Sequence, residues 1–165
     1  MTRSWLRGET LQKEAAMQNI KKILCAVDLS DHSKMVADYA MAMAKAFGAE
    51  ITVLYTAPSL SQYVGFHVPP SSIENFVGEI VSGAEQSMNE FMDEVFTDPE
   101  VTVEGKILSG YAAQEIVSYA DANSVDIIVM GTHGRTGIDR MLFGSVAEKV
   151  VKTATVPVMT IRPKA

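Results

Sequence analysis

Five short apolar runs, separated by stretches with helical spacing, limit this chain to a few architectures. The runs cover residues 22–27, 51–56, 101–108, 126–130 and 157–161. Between the first two lies "SDHSKMVADYAMAMAKAFGAE", in which Val36, Ala40, Met43 and Phe47 fall on one face and Gly48 supplies a stop. In "SSIENFVGEIVSGAEQSMNEFMDEVF", Ser71 and Glu74 read as a capping box ahead of Ile73, Val77, Ile80 and Ala84. Ile116, Val117 and Ala120 mark a third helix, and Val146, Val150, Val151 and Ala154 a fourth. Strands that alternate with helices build βαβ units and a parallel sheet. The runs at residues 22 and 126 are apolar almost without a break, as strands covered on both faces are. The fold class is therefore open α/β with five strands.

A chain of 165 residues and 17.9 kDa suits one domain around one core. That domain is expected over residues 18–165. Residues 1–17 read as an N-terminal extension, disordered or helical, without the apolar stretch of a secretory signal. Residues 57–72, "APSLSQYVGFHVPPSS", break both periodicities with prolines and a glycine and read as a long loop or lid.

Net charge is −6 and the pI about 5.0, which excludes the basic face that nucleic-acid binding needs. No apolar run approaches the ~20 residues that cross a bilayer. Cys25, the single cysteine, reads as a packed thiol and fits a reducing cytoplasm. A small anionic ligand is still compatible with an acidic chain, because backbone N–H groups at a helix start hold phosphate without net positive charge.

The stretch "DIIVMGTHGRTGIDRMLFGSVAEKV" points to such a ligand. Ligands of open α/β sheets bind beyond the carboxyl ends of the strands, where the winding reverses. Gly131 ends one apolar run and lets backbone approach a ligand closely; Gly134 and Gly137 let the loop curl. Gly144 and Ser145 then open a helix whose first N–H groups favour an anion. Ser145 has two readings, since Glu148 follows at capping-box distance. Asp28, after the first run, is either a neighbour of the next helix or an acceptor for ribose hydroxyls, and Ser30 reads as that helix's cap. Arg135 either shields phosphate or simply meets water, and His133 reads as a hydrogen-bonding loop residue. The loop lacks the Gly-Lys-Ser/Thr ending of a P-loop. No general base or metal-ligand set stands out.

With these residues in place, the chain resembles the universal stress protein family, in the ATP-binding branch marked by Gly-x2-Gly-x9-Gly-Ser/Thr. Gly131, Gly134, Gly144 and Ser145 match each element, and the resemblance runs from Ile20 to Pro163. It implies a Rossmann-like doubly wound sheet of strand order 3-2-1-4-5 and a homodimer through the last strand. It also implies ATP, with Mg2+ or Mn2+. Asp28 would meet the ribose, the backbone near Thr56 the adenine, and Met130 and Gly131 the sugar. Gly134, Gly144, Ser145 and Val146 would hold phosphates. Two positions depart from the family pattern: "GYA" at 110–112 replaces a frequent Gly-x-Pro, and Ala147 replaces a hydroxyl residue found in some relatives. The function implied is a nucleotide-dependent stress or signalling module. A slow ATPase or nucleotidyl-transfer enzyme and a nucleotide-free homodimer are the alternatives.

Overall fold

The computed structural model describes residues 20–59, 70–133 and 143–162. The extension at residues 1–17 and the glycines Gly134 and Gly137, with Arg135, lie outside them. The elements run β1 (Lys22–Val27), α1 (Asp31–Phe47), β2 (Glu50–Ala57), α2 (Pro70–Val95), β3 (Val103–Ser109), α3 (Ala112–Ala122), β4 (Ile127–Gly131), α4 (Ser145–Thr153) and β5 (Val158–Ile161). All strand pairs are parallel, in the order β3-β2-β1-β4-β5. That is the order the resemblance implies. The winding reverses at β1, which has β2 on one side and β4 on the other.

Each face of the sheet carries its own core. On one face α1 and α2 bring Val36, Ala40, Met88 and Phe91 onto Ile23, Ile51 and Val129. On the other, α3 and α4 bring Ile116, Ala120, Ala147 and Val150 onto Leu24, Leu54 and Ile128. Ile23, Leu24, Ile51, Leu54 and Ile128 are wholly buried, and each such side chain contributes about 1.5–3 kcal/mol of transfer free energy.

Helix α1 shows how sequence shapes this packing. Ala37, Ala40 and Ala44 line its buried side, so the helix lies close to the sheet. It ends at Gly48, whose φ of 63° and ψ of 45° suit a residue without Cβ, and the cap N–H donates to the Ala44 carbonyl. Phe47, expected on the core face, is instead 40% exposed. It sits in the last turn of α1. In α4 the buried stripe is Ala147 and Val150, while Val146 and Val151 are exposed. A nine-residue helix presents one narrow stripe, and these two valines flank it. Helix α2 begins at Pro70, so the loop after β2 is shorter than the run 57–72. The side chains of the expected Ser71–Glu74 box lie outside the described residues.

Cys25 is packed in the middle of β1 with no exposed surface, and burial pushes its thiol from 9.0 up to about 12. The unfolded thiol releases its proton near pH 9.0 while the folded one keeps it to about 12. Stability from this group is complete below pH 9.0 and declines as pH rises through that interval. In the native protein Cys25 is expected to resist a disulfide-exchange reagent at pH 8 and to react at once on unfolding in denaturant. Fast native-state labelling would contradict this burial.

Candidate functional site

The carboxyl ends of β1 and β4 leave the sheet side by side, because Ala26 lies opposite Met130. Beyond them, at the switch point, a cavity of about 210 Å³ opens. Asp28, Thr56, Met130, Gly131, Gly144, Ser145 and Val146 all line it. Residues separated by more than a hundred positions thus share one wall, and of the expected set only Gly134 lies outside the described residues.

Asp28 follows β1 directly. The next residue, Leu29, has φ 58°, a left-handed conformation that costs a residue with a Cβ about 1–2 kcal/mol. Asp28 Oδ1 accepts three hydrogen bonds, from the Ser30 N–H at 3.1 Å, the Ser30 hydroxyl at 2.6 Å and the Ser33 hydroxyl at 2.8 Å. The Asp28 N–H in turn donates to Ser33 Oγ at 3.3 Å. Ser30 does occupy the N-cap position of α1, with φ −88° and ψ 170°, but no side-chain cap bond forms. Its hydroxyl donates instead to the Asp28 carboxylate, a charge-assisted bond. The helix-neighbour reading of Asp28 is therefore realised through Oδ1.

The glycine segment is organised by Thr132, which residue reading did not single out. Thr132 is 5% exposed. Its N–H donates to the Ile161 carbonyl at 2.8 Å, tying the end of β4 to the end of β5. Its carbonyl accepts from the Gly144 N–H at 2.7 Å, seating the start of α4 on the adjoining peptide group. Its hydroxyl lies 2.9 Å from His133 Nδ1, which matches the expected hydrogen-bonding role of His133. A hydroxyl between two glycines was visible in "GTHG", but no spacing rule marks it as a hub. His32 and Ser33 of α1, and Ala112 and Ile116 of α3, also line the cavity and were likewise not anticipated.

Gly144 is the N-cap of α4, with φ −72° and ψ 160°, and Ser145 is its first helical residue. The capping box between Ser145 and Glu148 does not form among the described residues: the N-cap is Gly144, with no side-chain cap bond, and Glu148 pairs with Lys152 at 2.6 Å. That pair, led by the Lys152 hydrogen bond, holds the exposed Glu148 carboxyl below its ordinary value. The first backbone bond of the helix runs from the Glu148 N–H to the Gly144 carbonyl. The N–H groups of Ser145, Val146 and Ala147 therefore precede the ladder and carry the positive end of the helix dipole.

The two described glycines differ in what they permit. A Cβ at Gly131 would stand 3.1 Å from the His133 carbonyl oxygen and 3.5 Å from Val36 Cγ2, so the turn would have to give by a few tenths of an ångström to admit a side chain. At Gly144 the nearest atom is the Thr132 carbonyl oxygen at 3.4 Å, an ordinary contact. Among the described residues no group of three or more His, Cys, Asp or Glu side chains is placed to hold a metal ion. No helix among them is long and apolar enough to cross a membrane.

Strand order, switch-point cavity and a glycine-opened helix define a Rossmann-like α/β domain. Residues 19–162 match the universal stress protein family, and the chain belongs to that family. Universal stress protein MJ0531 of Methanocaldococcus jannaschii is 35% identical over 142 residues, spanning 86% of this chain and 82% of that one. The solved universal stress protein UspA of Lactobacillus plantarum is 25% identical, with TM-score 0.76 over 87% of this chain and 99% of its own. A universal stress protein of Archaeoglobus fulgidus, solved in complex with dAMP, has TM-score 0.62 over 86% of this chain and 97% of its own. At 23% identity that last likeness is one of fold.

The glycine contrast yields a stability test. Gly131→Ala is expected to cost about 1–3 kcal/mol, a fall of a few degrees in Tm, because backbone must shift. Gly144→Ala is expected to change Tm by less than about 2 °C, near the small effect of a substitution without a steric penalty. Equal Tm values for the two variants, measured by calorimetry, would refute the assignment of Gly131 to the turn.

Proposed function

We propose that this chain is an ATP-binding universal stress protein whose occupancy by nucleotide changes a surface that partners read. The observation that carries this reading is the convergence of Asp28, Thr56, Met130, Gly131, Gly144, Ser145 and Val146 on one cavity at the switch point. The fit rests on two features of the chain itself. The start of α4 offers N–H groups that precede the helical ladder, the arrangement that receives phosphate without cationic side chains. The buried Thr56 hydroxyl oxygen has no hydrogen-bond partner among the described residues, which is a polar group placed for a polar ligand. The fold neighbour solved with dAMP is an adenine-nucleotide complex, which agrees with the ligand class.

In this reading Asp28 faces the ribose and the backbone near Thr56 faces the adenine. Met130 and Gly131 flank the sugar. Gly144, Ser145 and Val146, with Gly134, take the phosphates, accompanied by Mg2+ or Mn2+. In this reading the chain acts as a nucleotide binder in the cytoplasm.

Calorimetric titration with ATP and Mg2+ tests the reading. Wild type is expected to bind, and Gly144→Val to lose at least tenfold in affinity while keeping its far-UV spectrum. Absence of ATP binding by wild type, and of adenine nucleotide released on denaturation, would leave the nucleotide-free reading.

Self-association follows from a separate observation. β5 is a sheet edge, and Val158, Met159 and Thr160 along it are only partly buried. An apolar edge is a liability unless another strand covers it. Pairing of β5 with a second copy would give a homodimer. Sedimentation is expected to report a species of about twice 17.9 kDa, and a monomer at micromolar concentration would exclude it.

A further inference from the structure

Thr56 is the one residue of the cavity wall whose hydroxyl oxygen is enclosed and has no hydrogen-bond partner among the described residues. Register explains where it sits. Tyr55 lies opposite Val27, so Thr56 is level with Asp28 at the carboxyl edge of the sheet. Side chains alternate along a strand, so Thr56 shares a face with Leu54, the face covered by α3 and α4. The cavity wall beside it includes Leu54, Ala112, Ile116 and Met130, whose side chains offer no strong donor or acceptor.

A valine would fill the same volume there without a stranded oxygen. An enclosed hydroxyl with no partner destabilises the free protein, because it has given up water and received nothing in return. Such a group at a strand end, in the wall of a ligand cavity, has a ready physical account if the ligand supplies the missing partner. Rotation about χ1 is the single degree of freedom required. A 120° step about that torsion moves the oxygen to another staggered position without backbone movement.

We propose that the Thr56 hydroxyl is a specificity-determining ligand contact, enclosed in the free protein and paired with the polar edge of a purine base when nucleotide enters. This rests on the nucleotide reading above and goes further by assigning the side chain, where that reading used only backbone. A hydroxyl both donates and accepts, so it selects for a base with a hydrogen-bonding edge over an apolar ring of the same shape.

The experiment compares wild type, Thr56→Val and Thr56→Ser by thermal unfolding without ligand and by calorimetric titration with ATP and Mg2+. Thr56→Val is expected to unfold about 2–4 °C higher than wild type. It is expected to bind ATP about tenfold more weakly, since the base edge then loses its partner. Thr56→Ser keeps the hydroxyl and is expected to stay within about threefold of wild-type affinity, with no gain in Tm. ATP affinity unchanged in Thr56→Val overturns the proposal while leaving the nucleotide reading intact. A lower Tm in Thr56→Val also overturns it, because the hydroxyl would then be supporting the protein itself. Wild type that binds no adenine nucleotide overturns the nucleotide reading, and this proposal with it.

Discussion

Leu24, Cys25, Ile128 and Val129 have no measurable exposure, and the rest of the architecture depends on that burial. They occupy the two strands at the centre of the sheet, and helices must cover both faces to keep them dry. Covered faces leave no place for ligand chemistry along these strands. Polar groups collect instead where the strands end, at the carboxyl edge, because there the backbone leaves the ladder. The reversal of winding at β1 holds α1 and α4 on opposite faces, and the gap between their starts is the cavity.

Within that gap the backbone of one residue does most of the positioning. Thr132 donates to Ile161 and accepts from Gly144, so the edge strand, the end of β4 and the start of α4 meet at adjoining peptide groups. Glycine serves different ends on either side of it. Gly131 is crowded by the protein's own turn, while Gly144 has ordinary space around its missing Cβ. A motif that names both glycines together merges a folding requirement with a candidate binding requirement.

Hydroxyl placement was the least legible part. Ser30, Ser71 and Ser145 each matched a capping rule, yet neither Ser30 nor Ser145 caps its helix with its side chain. Capping rules describe a helix in isolation. The Ser30 hydroxyl donates to the Asp28 carboxylate that precedes the left-handed Leu29, and Lys152 takes Glu148. Phe47 and Val146 illustrate the same limit for apolar residues. Their spacing put them on a buried stripe, but a stripe is buried only where another element lies opposite.

The sequence by itself determined the five strands, their alternation with helices, the parallel sheet and the glycine stop of α1, because periodicity and backbone freedom are local properties. It also marked part of the cavity wall, through glycine spacing and a family resemblance. Only the tertiary structure decided which hydroxyl serves which partner, that Thr132 joins β4, β5 and α4, and that the Thr56 oxygen has no partner among the described residues. Those outcomes hinge on competition among groups distant in the chain, and a hydrogen bond is settled by which acceptor arrives within three ångströms, not by spacing along the backbone.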